Sequence, residues 1–552
     1  MRIVNRLERF QYSDIRRLLS GIIVVTVGFV VLLVLCFGLP CRNASCLSLV
    51  KVSGFVDSQV SLVKTEMKYI NVSTDVDVDE DEKGKRKKDY SLDIDREDDD
   101  VAISKVKVEL NVSLEKPKMA VESSVLVSGK DSREGNVLSI IRHKQEAAVS
   151  IAQMNTLLIQ SLSSFQSPKP RWSSVRDSEM LAAKTEIENA SGVDGFIGLD
   201  ASVYRNISKF QRSYDLMERK LKVYVYKEGK KPIFHKPMPR GIYASEGWFM
   251  KLMESNKKFV VKDPRKAHLF YIPVSIKALR TSLGRDFQTP TSLADHLKEY
   301  VDLIAGKYKF WNRTGGADHF LVACHDWGNK LTKKHMKNSV RALCNSNVAQ
   351  GFRIGIDTAL PVTYIRSAES PLEYLGGKTP SERKILAFFA GSMHGYLRPI
   401  LLQLWENKEP DMKILGPMPR DPQSKKQYRE YMKSSRYCIC ARGYEVHTPR
   451  VVEAIMNECV PVIIADNYVP PFFEVLEWEE FAVFVKEKDI ANLRNILLSI
   501  PEERYVGMQA RVNMVQQHFL WHKKPVKFDL FHMILHSVWY SRISRVKTRP
   551  RH

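Results

Sequence analysis

The sequence has few cysteines and lacks the short motifs that mark nucleic-acid-binding proteins. Eight cysteines in 552 residues are too few for a disulfide-stapled scaffold, so a hydrophobic core must hold the fold together. No zinc-finger spacing, basic zipper or aromatic RNA-binding motif accompanies the net charge of +22, which argues against nucleic acid as a partner. The remaining partners for such a basic chain are an anionic membrane surface or an acidic substrate.

The sequence also lacks a convincing set of metal ligands. Cys438 and Cys440 have no second cysteine pair at zinc spacing and are interpreted as two residues of a buried strand. Asp75, Asp77 and Asp79 have the spacing of an acidic metal-binding element, but they lie in a polar low-complexity run and not at the end of a buried strand. We therefore expect no bound metal.

One long apolar run lies near the start of the chain. Residues 18–39 contain no charged side chain and would span about 33 Å as a helix, enough to cross a bilayer. Residues 1–17 carry five arginines against two acidic residues, so the positive-inside rule predicts a cytosolic tail. No small-residue cleavage site follows, which favours an uncleaved signal anchor over a signal peptide. The chain is thus predicted to be a single-pass type II membrane protein.

The segment after the anchor has the composition of a stem. Residues 40–200 are predicted to be luminal and largely disordered, because acidic and basic blocks with few large apolar residues alternate between residues 75 and 100. Residues 145–162 differ, since Val149, Ala152, Leu157 and Ile159 have helical apolar spacing. This segment is either a stem helix that binds a partner or a short helix packed on the globular body.

N-glycosylation sequons recur along the predicted luminal part. The acceptor residues are Asn43, Asn71, Asn111, Asn189, Asn206 and Asn312. Three of them fall in the first stretch after the anchor, which suits an exposed stem in the secretory pathway.

Strand and helix patterns alternate in two successive runs through the rest of the chain. The first run falls in residues 201–370 and the second in residues 371–547. Two such runs predict an α/β protein with two parallel-sheet, Rossmann-like domains. A cleft between the domains is the expected ligand site.

The most informative stretch is residues 437–478, which read as buried strand, Gly-containing turn, helix and second buried strand. This is a βαβ unit with a ligand site at the helix start. Thr448 and Pro449 suit that start, whose dipole favours a diphosphate. Arg450 adds a cation for phosphate, and Glu453 can accept hydrogen bonds from ribose hydroxyls. The alternative is a plain surface ion pair between the two, which leaves the Gly turn and apolar strands unexplained.

Two further groups of residues could act at this site. Gly391 follows a predicted strand and lets backbone approach a ligand closely, and Arg398 is then placed to reach phosphate. His325 and Asp326 lie at a strand end in the first run, where either could take the proton of an attacking hydroxyl. The alternative is an Asp that orients a His for structural reasons. Asp357 is a further candidate.

Several longer motifs then connect the chain to a known family. They are LKVYVYKEG, KDPRKAHLFYIPV, DHFLVACHDWG, KILAFFAGSMHGYLRP and TPRVVEAIMNECVPVIIADNYVPPF. With these motifs the chain resembles the plant exostosin-like glycosyltransferases of family 47 over roughly residues 202–530.

The resemblance implies a GT-B-like fold with the acceptor side in the first domain and the nucleotide sugar in the second. It implies a Golgi type II membrane protein that transfers a sugar from a UDP-sugar to a wall polysaccharide, pectin or hemicellulose, with inversion and without a metal. Arg450 and Glu453 would hold the nucleotide, with Gly391 and Arg398 near the phosphates.

Three alternatives stay open. The loop GYEVHTPR departs from the family pattern of small residues and Ser before Pro-Arg, which leaves room for a non-catalytic subunit that scaffolds another Golgi transferase. Glu445 and Glu453 have the spacing of many retaining GT-B enzymes, so retention is the alternative to inversion. The chain could act alone or as a homo- or hetero-oligomer with other Golgi transferases.

Overall fold

The computed structural model describes residues 148–164, 167–191, 200–283, 289–365, 367, 372 and 375–549. Within them the chain forms two sheets of five strands, and every strand pair in both sheets is parallel. Helices surround both sheets, as parallel sheets require for burial of both faces. The predicted α/β fold with two Rossmann-like domains is confirmed.

The first sheet is built from strands that lie side by side in chain order. They are β1 (Val223–Val225), β2 (Leu269–Tyr271), β3 (His319–Ala323), β4 (Val340–Leu343) and β5 (Thr358–Ala359). Every residue of the central strand β3 is buried, which explains its uninterrupted apolar character after His319.

Helices precede and connect these strands, and some of them begin at a side-chain cap. They are α1 (Ile151–Ser164), α2 (Val175–Glu188), α3 (Ile207–Lys220), α4 (Ala244–Glu254), α5 (Ile276–Ser282), α6 (Pro290–Lys307), α7 (Phe310–Thr314) and α8 (Gly328–Thr332). Asn206 caps α3 by accepting the N–H of Lys209 at 2.9 Å, and Thr289 caps α6 with Pro290 as its first residue. Both are residue types that favour these positions.

The strands of the second sheet do not lie side by side in chain order. Its strands are β6 (Ile385–Ala390), β7 (Met412–Leu415), β8 (Ser435–Ala441), β9 (Val460–Ile464) and β10 (Val483–Phe484). Their spatial order is β10-β9-β8-β6-β7, so the direction of winding reverses between β6 and β8. A crevice opens at such a switch point, outside the carboxyl ends of the two strands, and ligands bind there in open α/β sheets.

The remaining helices follow the second set of strands. They are α9 (Leu397–Trp405), α10 (Pro422–Ser434), α11 (Arg450–Met456), α12 (Leu493–Leu498), α13 (Glu502–Val515) and α14 (Leu530–Ser544). The last helix does not stay with the second sheet. It packs against α2, α3, α4, β4 and β5, so the predicted boundary of the second domain at residue 547 does not match its packing.

The predicted stem also differs from the structure over its last part. Helices α1 and α2 lie within residues 40–200 and pack on the globular body. In α1, Met154 and Leu158 are buried, whereas Ile159 is 70% exposed. The helix is thus packed on the body, as one of the two alternatives proposed. It buries the face of Met154 and Leu158, whereas Leu157 and Ile159 of the predicted face are exposed. Its apolar residues lie on several sides, and only the partner surface decides which side turns inward.

A buried charge cluster fixes α2. Asp177 binds Arg313 and also Arg542, whose Nη2 lies 3.1 Å from Asp177 Oδ1. Arg313 in turn donates to Asp318 at 2.7 Å. The cluster joins α2, α7 and α14 through side chains that are almost fully buried.

Two disulfides cross-link neighbouring strands. Cys324 pairs with Cys344 at the ends of β3 and β4, and Cys438 in β8 pairs with Cys459 next to β9. Cys440 is free and buried. The prediction that Cys438 and Cys440 belong to a buried strand is confirmed, and the pairing of Cys438 is settled only by the packing of the strands.

The membrane and glycosylation predictions fall partly outside the described residues. This is true of the tail at residues 1–17, the anchor at residues 18–39 and the first three sequons. None of the helices between residues 148 and 549 that the structure describes combines the length and apolar character of a membrane span. Asn189, Asn206 and Asn312 are exposed, and Nδ2 of Asn312 donates to the carbonyl of Ala305 at 3.0 Å.

The charge cluster predicts a large penalty for Asp177→Ala. The variant leaves two buried guanidinium groups without this carboxylate, so we expect a loss of about 3–5 kcal/mol in unfolding free energy. Glu186→Ala on the same helix removes a surface pair with Lys220 and should cost at most about 1 kcal/mol. Urea unfolding of the full chain, followed by circular dichroism, compares them. Equal small losses would show that α2 is not part of the body.

Candidate active site

Two arginine side chains meet at the carboxyl ends of β6 and β8. Arg450 donates from Nε and Nη2 to the carbonyl of Ala390, the last residue of β6, at 3.1 and 2.7 Å. Arg398 reaches the carbonyl of Ala441, the last residue of β8, from Nε and Nη2 at 3.4 and 3.3 Å. Both predicted phosphate-binding arginines therefore lie at the switch point of the second sheet.

Neither guanidinium group has an acidic partner among the described residues. Arg398 also donates to the carbonyl of Ser392 at 3.0 Å, and Arg450 contacts the hydroxyl of Thr448 at 3.4 Å. Burial and, after it, the charge of Arg450 lower the pKa of Arg398 to about 9. Two neighbouring cations without a carboxylate are a favourable site for an anion, and a planar guanidinium suits a phosphate or diphosphate.

Gly391 makes room for a neighbouring side chain, and its predicted close approach to a ligand stays a prediction. A Cβ atom on Gly391 would lie 1.9 Å from Nη2 of Arg450, so the glycine provides the space that this guanidinium occupies. Gly395 has a φ of +72°, and a Cβ there would lie 2.2 Å from the carbonyl oxygen of Gly443. The glycines therefore bring the loop after β6 against the loop after β8.

Glu453 lies on the first turn of α11, which begins at Arg450, one residue later than predicted. Its Oε2 accepts a hydrogen bond from the hydroxyl of Tyr428 at 2.9 Å. Arg450 turns towards Ala390, so it does not form the surface ion pair with Glu453 that was the alternative interpretation. The helix has seven residues. We therefore assign the positive charge of this site to the arginine side chains and not to the helix dipole.

Asp326 brings a carboxylate from the first domain to the same region. It follows β3, and its Oδ1 lies 3.3 Å from the hydroxyl of Tyr243 and 3.2 Å from Nε2 of His447. Burial opposes ionisation, but the hydrogen bond and charge of His447 and the charge of His325 outweigh it and lower the pKa of Asp326 to about 2. The side chain of Asp326 is still 34% exposed, so the ionised carboxylate is reachable from solvent.

His325 is enclosed. Its Nδ1 accepts the N–H of Trp327 at 3.1 Å, and its Nε2 lies 3.3 Å from Nη1 of Arg280. Burial lowers the pKa of His325 to about 4, so the imidazole is neutral near pH 7. Of the two predicted residues, Asp326 has the geometry of a proton acceptor, and His325 supports the wall behind it.

The loop before α11 is bound to the first domain by a second set of contacts. Oε2 of Glu445 accepts from Nε2 of Gln350 at 2.6 Å, and Oε1 lies 3.4 Å from Nζ of Lys330. Together with the contact between His447 and Asp326, these bonds join the carboxyl ends of the two sheets. Glu445 and Glu453 therefore have separate partners.

Sequence reasoning missed His447 and Tyr243. His447 could have been found from its place in the departing loop GYEVHTPR, but no local pattern connects Tyr243 with Asp326. Asp357, a predicted candidate, binds Arg341 and Arg353 and is fully buried, so its contacts are structural.

These features define a class. Two parallel-sheet domains present an anion site and an ionised carboxylate to each other, which suits a transferase whose donor carries a diphosphate. The family model for the Exostosin GT47 domain matches residues 217–500, more than half of the 552 residues. The chain belongs to this family and is a glycosyltransferase.

The similar proteins have names that agree with this class. A probable glycosyltransferase of Arabidopsis thaliana is 44% identical over 351 residues, 63% of this chain and 67% of the relative. A probable β-1,4-xylosyltransferase of the same plant is 30% identical over 348 residues, 58% of this chain and 81% of the relative. A probable glucuronosyltransferase of Oryza sativa subsp. japonica is 29% identical over 349 residues, 58% and 80% of the two chains.

The anion site predicts that Gly391→Ala weakens the binding of a nucleoside diphosphate at least about tenfold, because the new methyl group displaces the guanidinium of Arg450. Calorimetric titration of the full chain measures the affinity. Gly416→Ala is the matched control, since its Cβ would meet Leu402 at an ordinary 3.6 Å. Equal affinities in the two variants would show that the position of Arg450 does not matter for the anion.

Proposed function

We propose that the chain transfers a hexose or pentose from a UDP-sugar to a plant cell-wall polysaccharide, pectin or hemicellulose, with inversion at the anomeric carbon. The observation that carries this proposal is the pair Arg398 and Arg450, two cations without a carboxylate at the switch point of the second sheet. Relatives named as xylosyltransferase and glucuronosyltransferase support the choice of a sugar donor and a polysaccharide acceptor.

In this proposal the second domain holds the donor. Arg398 and Arg450 bind the diphosphate, and the remaining carboxylate oxygen of Glu453 accepts from the ribose hydroxyls. The two guanidinium groups stabilise the negative charge that develops on the leaving diphosphate. Because they provide the positive charge, we infer that the reaction does not require a metal.

The first domain deprotonates the acceptor. An acceptor hydroxyl attacks the anomeric carbon from the face opposite the diphosphate, the new C–O bond forms, and the bond to the diphosphate breaks with its electron pair leaving on UDP. Asp326 takes the hydroxyl proton. Its low pKa makes it a weak base, so the proton moves as the hydroxyl becomes acidic during bond formation. His447 and Tyr243 orient the carboxylate.

The retaining alternative is less well supported. It would use Glu445 and Glu453, but Glu445 is engaged by Lys330 and Gln350 and Glu453 by Tyr428. Asp326 also accepts hydrogen bonds, but its side chain is 34% exposed, against 10% for Glu445. Turnover by the chain alone separates the scaffold alternative from the enzyme.

We further propose that the protein works in the Golgi lumen as a single-pass type II membrane protein. The apolar run at residues 18–39 and the arginines before it support the anchor. The disulfides Cys324–Cys344 and Cys438–Cys459 support an oxidising compartment, where such bonds persist.

The donor assignment predicts that the full chain binds UDP and that Arg450→Ala and Glu453→Ala each weaken binding about tenfold or more. Lys425→Ala on the surface of α10 removes a similar charge away from the site and should leave the affinity unchanged. Calorimetric titration with UDP gives the three values. If wild type and both site variants bind equally, the assigned nucleotide site is wrong.

The base assignment predicts that Asp326→Asn lowers kcat by about 10²–10⁴, since an amide cannot take the proton. UDP affinity should stay within about twofold, because Asp326 contacts the second domain through His447 and not through Arg398, Arg450 or Glu453. Steady-state kinetics with a panel of UDP-sugars and wall oligosaccharides provides both numbers. The product is then examined by NMR: an α-linked product from an α-linked UDP-sugar would contradict inversion, and unchanged turnover would exclude Asp326.

A further inference from the structure

A cavity of about 360 Å³ lies in the first domain. Its wall includes residues 237–240, Tyr243 and Lys277. The volume is within the range of about 300–1,000 Å³ that is common for small-molecule sites. None of the predicted donor residues lines it.

The cavity is rigid on one side. The indole Nε1 of Trp248 donates to the carbonyl of Pro239 at 3.0 Å. A Cβ on Gly247 would lie 2.2 Å from the carbonyl oxygen of Met238, so the loop packs directly on the backbone of α4. Gly241 and Ile365 exchange two backbone hydrogen bonds of 2.8 and 3.3 Å. The wall is therefore formed before any ligand binds.

Tyr243 joins the cavity to the proposed base. Its ring lines the cavity, its hydroxyl lies 3.3 Å from Oδ1 of Asp326, and its ring centroid is 4.9 Å from that of His325. Nζ of Lys277 lies over the Tyr243 ring, 5.7 Å from its centroid. A sugar in the cavity would therefore lie beside an aromatic ring and a cation, with the carboxylate of Asp326 near one of its hydroxyls.

The charge of the cavity is positive. Arg240 and Lys277 are exposed, and neither pairs with a carboxylate among the described residues. Glu246, the acidic residue of the wall, is 3% exposed and accepts the N–H of Cys324 at 3.1 Å, so its carboxylate turns into the protein. Burial raises the pKa of Glu246 to about 7, which further reduces its negative charge.

We propose that this cavity is the acceptor site and that it selects a glycan carrying carboxylate groups, a polysaccharide that contains uronic acid. Arg240 and Lys277 bind the carboxylate, and Tyr243 supports the sugar ring next to the attacking hydroxyl. The proposal rests on the proposed function, because it places the acceptor beside Asp326. A uronic acid could come from the backbone of a pectin or from a side group of a hemicellulose.

The test compares two matched ligands on the full-length chain. One is an oligomer of α-1,4-linked galacturonic acid, and the other is the same oligomer with its carboxyl groups reduced to alcohols. We expect calorimetry to show roughly tenfold tighter binding of the acidic oligomer. Arg240→Gln and Lys277→Gln should each remove most of that preference without weakening the reduced oligomer. Lys257→Gln, which removes an exposed charge outside the cavity, should leave both affinities unchanged.

A xylo-oligomer with and without a glucuronic acid side group distinguishes the two sources. Preference for the acidic form in the galacturonic acid pair alone supports a pectin, and preference in the xylan pair alone supports a hemicellulose. Equal binding of the acidic and neutral forms in both pairs overturns the proposal. An equal loss of affinity for the acidic oligomer in Lys257→Gln and in the two cavity variants overturns it as well.

A UDP titration of the same variants keeps this result separate from the donor assignment. Arg240→Gln and Lys277→Gln should bind UDP as wild type does. If UDP binds normally while the acidic preference is missing, the acceptor inference fails and the proposed function stands. If UDP does not bind to the wild-type chain, the proposed function fails, whichever glycan is preferred.

Discussion

The reversal of strand order between β6 and β8 is the constraint on which the site depends. At this point the chain connections leave two adjacent parallel strands in opposite directions, so no connection covers their carboxyl ends. The carbonyls of Ala390 and Ala441 are therefore accessible to side chains. Arg450 and Arg398 donate to these two carbonyls. Their positive charges lie next to each other, and neither has an acidic partner among the described residues. Gly391 makes room for Arg450, because any side chain at this position would occupy the place of the guanidinium. Strand order, one glycine and two cations thus meet at one point of the sheet, where we propose the anion site.

The second feature of the molecule is the set of bonds between the two domains at this site. Asp326 binds His447, and Glu445 binds Lys330 and Gln350, all through the loop that leads into α11. The loop therefore connects the arginine site with the carboxylate of the first domain. This gives a physical meaning to the departure of GYEVHT from the family pattern. Small residues at these positions could not reach across to the first domain, whereas His447 and Glu445 do.

Much of the fold could be predicted because local patterns report burial. The apolar runs of β3, β6, β8 and β9 indicated buried parallel strands. Asp326 was a candidate because it follows a strand end, and Arg398 and Arg450 were candidates because they lie in the loop-helix segments that follow β6 and β8. The same logic failed for α14 and for α2. Both helices carry apolar residues and buried charges whose partners lie hundreds of positions away, as in the cluster of Asp177 with Arg542. Periodicity shows that such a residue is buried, but not what it is buried against.

The sequence by itself determined the α/β class, the two domains, the family resemblance and the charge types at the proposed donor site. These follow from burial patterns and residue types, which are local properties. Only the tertiary structure decided that Gly391 serves Arg450, that Asp326 is open while His325 is enclosed, and that Tyr243 links a cationic cavity to Asp326. The reason is that each of these depends on a distance between side chains from different elements, and strand order and domain packing set those distances.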